Sequence, residues 1–194
     1  MKLSRTYIGM VDRYINSRRQ GFLLECDGIA IANNSISLIL FTSQIEVSDF
    51  SGIDVEIYPH FKNKIWKYII DPYWEDKTKS YKPMPTTLFL EDIKADVKNV
   101  HDELDIPVRT KLYYESVTNG RFKTDVALKY GGDDGIWLNP ELLYDVAKLI
   151  NSKGKPVDIW IPNNKKFPAV VVGENKYGRH LGFVLGTMKN FKEN

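Results

Sequence analysis

The chain has 194 residues, with 27 Lys and Arg against 25 Asp and Glu and an apolar share of 43%, which excludes a disordered segment and a strongly basic or acidic tail. Cys26 is the single cysteine, so an intrachain disulfide and a cysteine-based zinc site are excluded. The start, MKLSRTYIGMVDRYINSRR, lacks the apolar core of a signal peptide and no window nears the ~18 apolar residues of a membrane span, so a soluble, cytoplasmic protein with no membrane partner is expected.

Residues 3–19 are predicted as an amphipathic helix, with Leu3, Tyr7, Met10, Val11, Tyr14 and Ile15 in one arc and Arg5, Asp12, Arg13, Asn16 and Arg19 opposite. FLLECDG, IAIANN and SISLILFT follow as short β-branched runs separated by Asp27-Gly28 and Asn33-Asn34, which reads as an antiparallel meander over 21–48. IDVEIYP (53–59) is a strand candidate, and HFKNKIWKYIID after it is a helix with Phe61, Ile65, Tyr68 and Ile69 inward and Lys64 and Lys67 opposite. Residues 71–88 hold three prolines among charges without a sustained period, and so are expected to be a long loop or interdomain connection.

Segment 90–104 carries a helical stripe of Leu90, Ile93, Val97, Val100 and Leu104, with acidic residues on the remaining face. KLYYESV, RFKTDVALKY and GIWLN read as strands divided by Asn119-Gly120 and the run GGDDG at 131–135. The next helix is marked at both ends, by Asn139 as N-cap with Pro140 at its first position and by Gly154 after it. Strands PVDIWIP, FPAVVVG and GFVLGTM close the chain. The order is not a βαβ alternation, so the expected class is α+β, with antiparallel sheets and helices on one face.

An internal repeat is also expected. Aligning Pro59 with Pro140 places Phe61 on Leu142, Ile65 on Val146, Tyr68 on Leu149 and Ile69 on Ile150. Two small repeated domains follow from it, residues 1–88 (with a linker at about 71–88) and 89–194.

The run GIWLNPELLYDVAKLI, PVDIWIP, FPAVVVG and GFVLGTM resembles the closing domain of a DNA polymerase sliding clamp of the bacterial β type. Ile136–Pro140, Leu142, Leu143, Pro168 and Met188 carry the likeness over roughly 120–190, and DGIAIANNSISLILF resembles a clamp strand pair more weakly. The chain is shorter than a three-domain clamp, and Met188-Lys189-Asn190 stands where such clamps end in Pro-hydrophobic-Arg. A reduced two-domain, phage-type relative is what the resemblance implies. It would be a non-enzymatic replication accessory (processivity) protein binding double-stranded DNA non-specifically, a polymerase or repair partner, or both, as a homo-oligomer where it forms a ring. The alternative is a clamp-fold interaction or inhibitor module that does not encircle DNA.

Non-specific DNA contact calls for Lys and Arg on exposed helix faces. Arg5, Arg13, Arg19, Lys64 and Lys67 are the candidates, whereas Glu141 and Asp145 outnumber Lys148 on the helix beginning at Pro140. A groove for a partner peptide needs exposed apolar anchors, and Tyr73, Trp74 and Met84 are the candidates for its lining. His60, His101 and His180 share no metal-ligand spacing and are expected at the surface or in loops, and Cys26 is expected as a buried apolar residue. GGDDG lacks the Gly-Lys-Ser/Thr end of a phosphate loop and reads as a hairpin turn. No catalytic constellation, metal site or cofactor motif is found.

Overall fold

The computed structural model describes residues 2–18, 21–26, 28–34, 36–42, 44–55, 77–101, 111–118 and 121–186, with only the backbone described at 77–78, 99–101 and 111–126. Helix α1 (Arg5–Asn16) is shorter than the predicted 3–19. Ser4 caps its start by accepting from the Tyr7 N–H at 3.3 Å, and the Ser17 hydroxyl donates to the Tyr14 carbonyl at 2.7 Å at its end. Its buried side chains are Tyr7, Val11, Tyr14 and Ile15, four of the expected arc, while Met10 is half-buried at the helix flank and Leu3 is buried ahead of the helix. The predicted meander is present as β1 (Phe22–Cys26), β2 (Ile29–Asn33) and β3 (Ser37–Leu40). Gly28 takes a φ of +77° in the first turn, where a side chain would be strained. In the second, the fully buried Asn34 accepts from the Ser37 N–H and hydroxyl, each at 2.9 Å.

Of the strand expected at 53–59, the described part contributes a parallel bridge from Val55 to Leu23. The helix expected over 60–71 and the asparagine–glycine turn at 119–120 lie outside the described residues. The described part of the stretch 71–88, from Lys77 on, is more structured than its composition suggests. It holds a single helical turn, Lys77–Ser80, and ends in β4 (Thr86–Phe89), which pairs antiparallel with β8 (Pro156–Trp160). The physical reason is that β4 draws its pairing from a strand about seventy positions away, which local composition does not report.

Helix α2 (Leu90–His101) follows, then the antiparallel strands β5 (Lys111–Thr118), β6 (Arg121–Tyr130) and β7 (Ile136–Leu138) of a three-stranded sheet. GGDDG turns the chain from β6 to β7, with positive φ at Gly131 and Gly132. Helix α3 (Pro140–Ile150) begins at Asn139, whose side chain accepts from the N–H groups of Glu141 and Leu142 at 2.8 and 3.3 Å. Strands β8, β9 (Ala169–Asn175) and β10 (Gly178–Val184) complete the described chain. β10 starts earlier than GFVLGTM, because the Asn175 side chain holds a tight turn by accepting from the Tyr177 N–H at 2.8 Å.

Among the described residues the large sheet has seven strands in the order β1-β2-β3-β10-β9-β8-β4, all neighbours antiparallel. A helix followed by a three-stranded meander occurs twice in it, as α1-β1-β2-β3 and α3-β8-β9-β10. The third strands of the two units join edge to edge, Leu40 opposite Leu181 and Ser37 opposite Val184. Strands from both sides of residue 88 therefore share one sheet, and that position itself falls inside β4. The class is α+β, as expected.

Alternation of side chains divides the sheet into two apolar faces. One face, with Leu23, Ala32, Ile39, Val157, Ile159 and Val171, packs on α1 and α3, and the inward residues Leu128, Tyr130, Ile136 and Leu138 of β6 and β7 join the same core. The opposite face carries Leu24, Ile31, Leu38, Leu40, Val170 and Phe183, with Cys26 buried among them and Tyr81 fully buried against them. Two glycines let α3 approach closely. A Cβ on Gly173 would lie 2.8 Å from Ile150 Cγ1, and one on Gly182 would run into Val146.

Candidate functional site

The two helices of the repeated units lie on one face of the sheet, and the open space between them is the first candidate site. It is a groove of about 290 Å³ lined by Met10, Arg13, Tyr14 and Ser17 from the α1 side and Asp145, Lys148 and Leu149 from α3. Tyr14 anchors the floor, its hydroxyl 2.8 Å from the Ser37 hydroxyl, and burial pushes its ionisation far up. The Asp145 carboxyl is raised by burial and by Glu141, and Lys148 and Arg18 oppose the rise. Lys148 also stands over the Tyr144 ring at 5.7 Å. Arg13, Lys148 and Asp145 thus share the rim, with Arg18 and Glu141 close enough to act on Asp145, an arrangement suited to weak electrostatic contact with an anion.

A second groove, of about 520 Å³, runs along the other side of α1, between Lys2, Leu3, Arg5, Ile8, Gly9 and Asp12 and the segment Asp49–Ile53. Arg5 and Arg13 are both exposed, but they line different grooves. Arg19, Lys64, Lys67, Tyr73 and Trp74 lie outside the described residues. Met84 is 77% exposed in the bend before β4. Sequence reading passed over Arg18 and Lys148 as partners of Arg13. Arg18 follows the last helical residue, so a helical projection misplaces it, and Lys148 was set apart by its distance in sequence.

The third candidate is a buried polar network. His180 was expected at the surface, and the structure corrects this: it is 1% exposed on β10. The reason is the pairing of β10 with β3, which sets His180 edge-on against Phe41 (ring centroids 5.7 Å apart) and beside Thr42, and so covers a position whose own segment reads as charged. Its Nδ1 accepts from the Thr42 N–H at 3.1 Å and its Nε2 lies 3.0 Å from Asn175 Oδ1. That pairing requires a neutral ring with the proton on Nε2, and burial lowers its pKa to about 4. Asn175 also donates to the Leu149 carbonyl at 3.0 Å and to the Tyr7 hydroxyl at 3.3 Å. Tyr7 in turn donates to Leu149, and burial raises its pKa to about 12. The Tyr177 hydroxyl accepts from the Ser4 N–H at 2.9 Å. Every group here has its partner, so the network fastens α1 to the second unit and offers no unoccupied polar atom to a substrate.

Among the described residues no group of three or more His, Cys, Asp or Glu is placed to hold a metal ion. No helix among them is long and apolar enough to cross a membrane. No protein-family model, curated protein or solved structure matches the chain.

Proposed function

We propose that the chain is a non-enzymatic, clamp-like accessory protein of DNA replication or repair, which holds double-stranded DNA without reading its sequence and docks a replication or repair partner. The observation that carries this reading is the pair of helix-and-meander units joined at β3 and β10, with α1 and α3 side by side on one face. A protein that holds DNA by its phosphates needs cations over a rigid sheet, and Arg13 and Lys148 meet that need at the groove between the two helices, with Arg18 just past the end of α1 and near Asp145. Arg5, Arg19, Lys64 and Lys67 are proposed as further phosphate contacts, and Tyr73, Trp74 and Met84 as the partner-peptide groove. Two repeated clamp-like domains in each chain, assembled into a closed ring as a homo-oligomer, are the fuller version of the same proposal.

The carboxylates Glu141 and Asp145 beside these cations favour a second reading, a clamp-fold interaction module that does not encircle DNA. Light scattering separates the two, since a stable monomer at micromolar concentration removes encirclement and leaves the module. DNA contact is tested by fluorescence anisotropy on a duplex at several salt concentrations. Combined Arg13→Ala, Arg18→Ala and Lys148→Ala is expected to reduce the slope of log affinity against log salt by about 2 to 3. Duplex binding with an unchanged slope in this variant, or no salt-sensitive binding by the wild type, overturns the helix-face assignment.

A further inference from the structure

Two loops at one end of the β8–β4 edge gather positive charge that the helix face does not use. Residues 77–85, KTKSYKPMP, and 161–168, IPNNKKFP, hold five lysines and no acidic residue. Five contacts hold them together. The Asn163 side chain donates to the carbonyls of Lys79 at 2.7 Å and Tyr81 at 3.2 Å, and its N–H donates to Ser80 at 2.9 Å. The Lys82 N–H donates to the Ile161 carbonyl at 2.9 Å, and the Tyr81 hydroxyl to the Pro168 carbonyl at 3.2 Å. The tip of the second loop is fixed by Asn164, which accepts from the Lys166 N–H at 3.0 Å. Lys79, Lys165 and Lys166 are exposed on this platform, while Lys82 is half-buried and donates from Nζ to the Gly131 carbonyl at 3.2 Å, beside the acidic turn residues Asp133 and Asp134.

We infer that this lysine platform is a second nucleic-acid contact, gripping the phosphodiester backbone at the β8–β4 edge of the sheet, apart from the groove between α1 and α3. Three features favour that ligand. Lysines are compact point charges without the planar fork that selects a single carboxylate or phosphate, so they suit a run of equivalent phosphates. The loops are pinned before any ligand arrives, so little conformational freedom is lost on binding. Met84 is the one large apolar side chain of these two loops that stands well exposed, which gives too little apolar surface for insertion into a lipid interface. The inference shares with the preceding reading only the class of ligand, because it rests on different residues at a different edge of the sheet.

The test compares three variants of the full chain on duplex and single-stranded oligonucleotides over a salt series. Lys79→Gln/Lys165→Gln/Lys166→Gln is expected to weaken binding about ten-fold or more near 0.1 M salt and to lower the salt slope by about 2 to 3. Lys153→Gln/Lys155→Gln/Lys176→Gln removes equal charge from exposed positions elsewhere and is expected to change the slope little. Arg13→Ala/Arg18→Ala/Lys148→Ala reports on the helix face separately, so either assignment can fail alone. Equal losses in the two lysine variants, an unchanged slope in the platform variant, or binding of phosphatidylserine vesicles in place of oligonucleotides overturns the inference. Circular dichroism checks that each variant is folded.

Discussion

Helix α3 buries seven of its eleven residues, whereas α1 buries four of its twelve, although both occupy the same place in their units. The difference lies in what surrounds them. Helix α3 sits over β3, β9 and β10, touches α2, and is reached by core residues of β6 and β7, so it is enclosed on most sides. Helix α1 covers β1 and β2 near the sheet's edge and has an open groove on either flank. The sheet beneath is matched to each, with Gly173 and Gly182 under the central helix and Ala30 and Ala32 in the layer beneath the outer one. A repeated topology has thus been divided between an enclosed structural helix and an outer helix free to carry charged side chains to solvent.

The same substitution in the two units tests this most strongly. Leu143 is fully buried, whereas Leu3, 5% exposed at the head of α1, lines an open groove. Leucine-to-alanine changes in cores cost about 2–5 kcal/mol, more where surrounding structure cannot collapse into the space. Leu143→Ala is expected near the top of that range and Leu3→Ala near the bottom, read from urea unfolding midpoints. Equal losses would mean that both helices are equally enclosed, against the comparison drawn above.

A smaller effect comes from the histidine where the units are fastened. The His180 pKa is held near 4, below the ordinary 6.5, by burial. In this window the unfolded chain binds more protons than the folded one, so stability is full above about pH 6.5 and is lost as pH falls toward 4. A depression of that size amounts to about 3 kcal/mol over the window. Chemical denaturation between pH 7 and 4 should show the decline in the wild type, and a shallower one in His180→Gln, which keeps a donor and an acceptor without titrating there. Parallel curves for the two proteins would show that His180 does not set the pH dependence.

Local signals and long-range ones were unequally legible in the sequence. Asn139-Pro140 announced α3 to the residue, because a cap and a fixed φ act within one turn. The stripe Tyr7, Val11, Tyr14 and Ile15 likewise appears as read. What the sequence withheld is the pairing of β3 with β10, whose partners are about 140 positions apart, and with it the adjacency of Arg13 and Lys148. The burial of His180 was hidden for the same reason, since Phe41 and Thr42, just past β3, cover it from far along the chain. Candidate cations on α1 could be named from periodicity, but the lysine platform depends on hydrogen bonds between segments about eighty residues apart.

The smallest effect also has a distinctive sign. Gly9 lies within α1, and a Cβ built on it meets nothing within 4 Å. Glycine in a helix interior is less favourable than alanine by roughly 0.8–1 kcal/mol, because the unfolded chain loses more freedom on ordering. Gly9→Ala should therefore stabilise by about 0.5–1 kcal/mol, raising Tm by about 1–4 °C for a chain of this length. Gly182→Ala should do the opposite, since its Cβ runs into Val146 of α3, and the enclosed helix cannot move aside without disturbing the core on its other flanks. Scanning calorimetry on both variants reads the two signs directly. A loss in Gly9→Ala would mean that α1 needs its glycine for a close approach, and the contrast between an open outer helix and an enclosed central one would fail at that point.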